Sequence, residues 1–202
     1  MTHVEYIAAL LSIIVGLGVT DLAQSFRELV RPQRTVDWHW LPLLWAATTL
    51  LIAIQLWWNS FSFLNESISV FFFPFLGQFL FLYLTCAFAL PDPEWEKPRN
   101  RSAGDADDGR SPLDLEAYYF SEAHRRWYFG ILIAFLVTSQ IGGQTVRALQ
   151  KGYEVNEQEL ATNGVLVVLV ATLILTDRWW VHVLISVLCF LGVARSTLMS
   201  VV

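Results

Sequence analysis

The sequence predicts an all-α, polytopic transmembrane helical bundle of six spans, forming a single membrane domain over residues 1–202. Three observations carry this prediction. Six stretches are both apolar and long, at about 6–30, 41–62, 70–90, 127–149, 160–176 and 179–199. A hydrocarbon core of about 30 Å needs about 20 apolar residues in helical form, and lipid leaves few other ways to satisfy the backbone. Only 15% of the residues are charged, against about 25% in a soluble domain. The charges cluster between the apolar runs, and the mean hydropathy is +0.48. The net charge of −5 argues against a nucleic-acid partner, which would require a basic surface. The lipid bilayer is the partner the composition demands.

The first span places Glu5, Ala9, Ser12, Gly16, Thr20, Ala23, Gln24 and Arg27 on one helical face. Ser12, Gly16 and Thr20 form a small-xxx-small ladder that reads as a helix-packing face. Asp21 lies off that face, in the cytoplasmic third. An acid inside a span is a candidate functional residue, and the alternative is an ion pair with a nearby Arg. Met1–Glu5 lacks the positive start of a cleavable leader, so this span is expected to be retained.

The second span opens on Trp38 and Trp40 and closes on Trp57 and Trp58. The separation is about 26 Å of helix, one Trp pair for each headgroup belt. Gln55 in this span and Gln78 in the third are polar at membrane depth. Cys86 and Cys189, in the third and sixth spans, read as inert buried thiols or as a bridge.

Residues 91–112, PDPEWEKPRNRSAGDADDGRSP, read as a flexible cytoplasmic loop. Asp105, Asp107 and Glu116 imitate part of a calcium loop, but Arg110 stands where that loop needs glycine. Ser111, Pro112 and Asp114 suit a helix start. Residues 113–126 then read as an interfacial helix, too polar to cross and apolar enough to lie at the surface.

The fourth span turns polar from Thr138 to Thr145. Gln140 and Gln144 flank Gly142 and Gly143, and each glycine weakens a helix by about 1 kcal/mol. The pattern predicts either a broken helix lining a pathway or a frayed outer end. Thr176, Asp177 and Arg178 read as a tight cytoplasmic turn between the last two spans, the alternative being one long tilted helix plus an interfacial piece.

Ten of the thirteen Lys and Arg residues fall in the first, third and fifth loops. The positive-inside rule makes those loops cytoplasmic and both termini periplasmic. Cutting the chain in the third loop leaves three spans on each side in opposite orientations. A 3+3 inverted repeat is compatible with this arrangement, with Gln24–Leu29 and Gln144–Leu149 as weakly similar span ends. His39 and His182 both open spans on the cytoplasmic side and are the weak candidates for metal or haem ligation. No ligand spacing supports a metal, so no cofactor is expected. Phosphate-loop, nucleophile-elbow, H-E-x-x-H and C-x-x-C patterns are absent, which argues against an enzyme. Asn65-Glu66-Ser67 matches a glycosylation acceptor, informative only in a eukaryotic secretory setting.

Two segments carry a resemblance: Ser12-Ile13-Ile14-Val15-Gly16-Leu17-Gly18-Val19-Thr20-Asp21-Leu22, and Tyr118-Tyr119-Phe120 followed by His124-Arg125-Arg126-Trp127-Tyr128-Phe129-Gly130. With the Trp-rich second span, the chain resembles a group of uncharacterised bacterial six-helix inner-membrane proteins. The resemblance implies a bacterial cytoplasmic membrane and no particular activity.

The leading functional expectation is a small channel or transporter for an ion or small solute. Its pathway candidates are Asp21, Gln24, Gln55, Gln78, Gln140, Gly142, Gly143 and Gln144. The alternatives are a non-transporting interaction or sensor subunit that docks through Ser12, Gly16 and Thr20, and a membrane haem protein. A second copy of the chain is the candidate protein partner.

Overall fold

A computed structural model describes residues 3–31, 35–63, 72–92, 95, 113–151 and 157–201. Within them the chain is predominantly helical. The long helices are α1 (His3–Val30), α2 (Trp40–Phe63), α3 (Phe72–Phe88), α6 (Gly130–Lys151), α7 (Glu157–Leu175) and α8 (Trp179–Val201). Between α3 and α6 lie the short α4 (Leu115–Tyr119), α5 (Glu122–His124) and a π-helical turn, Arg125–Phe129. Most of the predicted loop at 91–112, with Lys97, Arg99, Arg101, Asp105, Asp107, Arg110, Ser111 and Pro112, lies outside the described residues. So do Arg34, Asn65, Glu66 and Ser67.

Among the described residues, three helices are long and apolar enough to cross a membrane: Glu5–Val30, Trp40–Ser60 and Trp179–Met199. Leu76–Phe88 and Leu160–Leu175 are shorter apolar helices. Local chemistry favours these elements. Glu5 sits in the first turn of α1 and Arg27 in its last, each complementing the helix dipole. Pro42 falls in the first turn of α2, where no intrahelical N–H bond is lost.

Among the described residues the long helices touch in a closed circuit, α1–α3–α6–α7–α8–α2–α1, and α2 also touches α3 across it, so they form a ring with one internal contact. The most extensive contacts are α3–α6, α2–α8 and α1–α3. An inverted repeat would pair α6 with α8 as α1 pairs with α3, and α6 and α8 share no comparable contact. Among the described residues the α1–α3 contact thus has no counterpart in the second half.

Helix α1 turns a different face inward from the one its wheel suggests. Leu11, Gly18, Leu22, Ser25 and Leu29 are buried, whereas Ser12, Gly16 and Thr20 are exposed. A Cβ at Gly18 would lie 3.3 Å from both the Tyr83 Cα and the Cys86 Sγ, so α3 approaches at 18. A Cβ at Gly16 would meet nothing within 4 Å. The small ladder therefore does not pack α1 within the chain; Ser12 Oγ accepts a bond from Trp57 Nε1 at 3.3 Å.

The anticipated break in the fourth span is absent. Helix α6 runs unbroken through Gly142 and Gly143. Its long contact with α3 outweighs the weak propensity of two glycines, since tertiary packing supplies most helical stability.

Residues 113–126 do not form one helix. Leu113 and Asp114 are extended, forming β2, and pair in parallel with β1, Val36–Asp37. The helix therefore starts at Leu115, and Asp114 caps it by accepting from the Ala117 N–H at 2.9 Å. Ser121 caps α5 in the same way through the His124 N–H at 3.3 Å. Leu115 and Tyr119 are completely buried, so the apolar side of this segment faces protein. The β1–β2 ladder and an ion pair between Arg125 and Asp177 gather the first, third and fifth loops at one end of the ring.

Candidate functional site

Two regions of the ring concentrate polar side chains, one near each end. At the loop end, the 113–129 segment plugs the ring with aromatic and histidine side chains. Tyr119 lies between α2 and α8, its hydroxyl 3.2 Å from Trp45 Nε1 and 3.0 Å from His182 Nδ1. His182 Nε2 lies 2.7 Å from the Thr176 carbonyl. A carbonyl only accepts, so Nε2 carries the proton; in the neutral ring Nδ1 is then the acceptor and the Tyr119 O–H donates to it. Trp45 N–H also reaches Ser186 Oγ at 2.9 Å. The bonds thus run in one direction, from Trp45 through Tyr119 and His182 to the backbone of Thr176.

Thr49 extends this network. Its hydroxyl donates to the Trp45 carbonyl at 2.9 Å and receives the Tyr128 hydroxyl at 2.9 Å. Arg125 Nη1 donates to the Thr176 carbonyl at 3.0 Å. His124 stacks on Tyr128 with ring centroids 5.2 Å apart, and its Nδ1 has no partner. Burial holds its imidazole neutral, pushing the pKa down to about 3. Burial likewise raises the Tyr119 phenol to about 12, against the lowering effect of bonds from Ser186 and Trp45. The rings pack against one another, Tyr119 on Phe129 and His182, and His124 on Tyr128. Among the described residues no three His, Cys, Asp or Glu side chains gather as a metal site. Both nitrogens of His182 are already bonded, so the candidate ligand pair His39 and His182 is not available as such. This end works as a lock that ties the loops together.

The opposite end holds space. A cavity of about 610 Å³ lies between α2, α6, α7 and α8. Around it α7 packs more on α6 than on α8, and α8 packs chiefly on α2. Its polar wall is Gln55, Asn59, Ser139, Thr162, Asn163 and Ser196. Its apolar wall includes Ile52, Leu56, Phe135, Leu136 and Leu166. Gln55 Nε2 donates to Ser196 Oγ at 2.6 Å, and Asn163 Nδ2 donates to Gln140 Oε1. The Nε2 atoms of Gln140 and Gln144 are buried without acceptors.

The residues singled out from the sequence divide between places. Gln55 lines the cavity, and Gln140 is bonded to its wall. Gln78 is buried on the α3–α6 seam, where its Oε1 would lie 3.7 Å from a Cβ at Gly142. Gly143 has open space around it, and Gln144 lies one turn beyond Gln140 on α6. Asp21 is half-buried, close enough to Cys86 of α3 to interact with it electrostatically, and Gln24 is exposed. Neither reaches the cavity wall. Arg27 and Arg31 pair with Glu28, at 2.9 and 3.4 Å. The two cysteines are free and buried. Sequence reasoning missed Asn59, Thr162, Asn163 and Ser196; the signal available was the spacing of Gln55 and Asn59, one helical turn apart in an apolar run. No family model, curated protein or solved structure matches the chain.

Proposed function

We propose that the chain is a six-span protein of the bacterial inner membrane, with both termini periplasmic, and that it passes or carries a small solute through the α2–α6–α7–α8 cavity. The observation that carries this reading is a space of about 610 Å³ walled by amides and hydroxyls among otherwise apolar helices. Such volumes are typical of small-molecule sites, and polar groups at membrane depth mark solute routes. The six-span count adds α3, α6 and α7 to the three helices whose length and composition already suffice. Arginines gathered at the loop end support a cytoplasmic placement of that end.

The route differs from the one expected from the sequence: it uses Gln55, Ser139, Asn163 and Ser196 and leaves out Asp21 and Gln24. Flux of glycerol and of potassium in reconstituted liposomes tests it. Gly192 lines the cavity and a Cβ there meets nothing within 4 Å, so Gly192→Trp fills the space without disturbing packing at its base. Flux should fall severalfold in Gly192→Trp and Asn163→Leu and stay unchanged in Asp21→Asn. Equal flux in wild type and Gly192→Trp refutes the route.

A second reading, a non-transporting interaction subunit, is favoured by the exposure of Ser12, Gly16 and Thr20 on α1. That face would meet a second copy of the chain. Gly16→Leu should then abolish self-association in crosslinking while no solute flux is found in any variant.

A further inference from the structure

The cavity walls are ordered: on α6, α7 and α8 the apolar residues lie deeper than the polar ones, and on α2 only Leu56, between Gln55 and Asn59, departs from that order. Helices α2, α6 and α8 run away from the loop end and α7 runs toward it, so depth can be read from residue number. On α2, Ile52 lies deeper than Gln55 and Asn59. On α6, Phe135 and Leu136 lie deeper than Ser139. On α7, Leu166 lies deeper than Asn163 and Thr162; on α8, Cys189 lies deeper than Ser196. The floor is therefore apolar and the rim is polar. From Ile52 to Asn59 the helix rises about 10 Å. Among the described residues, no Asp, Glu, Lys, Arg or His lines the space.

We infer that this cavity binds a compact uncharged amphiphile, with its apolar body on the floor near Phe135 and Cys189 and its hydrogen-bonding head among Gln55, Asn59, Asn163 and Ser196. The inference rests on the reading of this cavity as the solute site and names its ligand class. A charged head would leave water here without a counter-ion, which low-dielectric surroundings penalise heavily. A wholly apolar ligand would strand the rim amides. Amides and hydroxyls both donate and accept, and the Gln55, Asn59 and Asn163 amides on the wall each carry N–H donors for a ligand's head. The head therefore carries an acceptor oxygen, as in an amide or alcohol. Gly192, Thr162 and Ser196 are exposed on the α7–α8 side, so an amphiphile dissolved in the bilayer reaches the cavity between these two helices.

Equilibrium binding of radiolabelled octanamide to the full chain in nanodiscs, corrected with empty nanodiscs, tests the inference. Saturable binding is expected, with octanoate and octylammonium competing at least about tenfold more weakly than unlabelled octanamide. Gly192→Leu should abolish binding. Gly164→Leu, equally free of close neighbours and absent from the cavity wall, should retain it. Unchanged helical circular dichroism in both variants shows that they fold. Equal competition by the charged probes, or saturable binding that survives Gly192→Leu, overturns the ligand class. Solute flux that Gly192→Trp blocks, with no octanamide binding, overturns the ligand class and leaves the transport reading. Octanamide binding without flux of any solute upholds the ligand class and overturns transport.

Discussion

Replacing Gly18 by Ala should destabilise the protein relative to replacing Gly16 by Ala, although both glycines lie in the same helix two residues apart. The added Cβ at position 18 meets the Tyr83 Cα and the Cys86 Sγ at 3.3 Å each. A thiol can rotate; a backbone Cα cannot yield unless the whole of α3 moves. Overpacking of this kind costs about 1–3 kcal/mol. At position 16 the new methyl meets nothing within 4 Å. Both changes gain the same helix propensity, about 1 kcal/mol. The propensity term cancels in the difference, leaving Gly18→Ala about 1–3 kcal/mol less stable than Gly16→Ala. Reversible unfolding in mixed micelles of mild detergent and dodecyl sulfate, followed by circular dichroism, measures that difference directly. Equal midpoints for the two variants would refute the close approach of α1 and α3 at Gly18.

The other predictions concern the loop end. Tyr119→Phe keeps the packing but leaves the buried His182 Nδ1 without its donor, so it should cost about 1–3 kcal/mol in the same assay. Asp177 is 83% exposed, so Asp177→Asn should cost less than about 1 kcal/mol. Arg125→Ala should cost clearly more, because its side chain is only 11% exposed and also serves the Thr176 carbonyl. His124 titrates near 3 when folded and near its usual value of about 6.5 when unfolded. Between these values the unfolded chain binds a proton that the folded chain does not, so stability falls as pH drops. The slope should approach about 1.4 kcal/mol per pH unit between about pH 6 and pH 4. His124→Phe should remove that component, as seen by comparing unfolding midpoints of the two proteins across the range.

Helix positions were legible because an apolar run long enough for lipid has one stable backbone solution. The turn at 176–178 was legible because one crossing cannot use so long a run. The choice between Gly16 and Gly18 was not legible. Both are small, and a helical wheel ranks faces without knowing which neighbour arrives. Residues 113–126 were misread for a related reason: an amphipathic segment has the same pattern whether its apolar side meets lipid or protein. His182 was noticed, but its partner Tyr119 lies far away in sequence and no spacing rule links them. The cavity wall is spread over four helices, one or two polar residues from each. Gln55 and Gln140 could be flagged singly as polar in lipid; their relation to Asn163 and Ser196 depends on how the helices splay.

The Thr176 carbonyl receives both the His182 N–H and the Arg125 guanidinium. A helix end normally leaves such oxygens to water or to a glycine-built reversal, and this turn has neither glycine nor proline. Arg125 and Tyr119 are synthesised before α7 and α8. When the α7–α8 hairpin leaves the ribosome, Arg125 and Tyr119 are already present, and these two helices complete a receptacle made by the part of the chain before them.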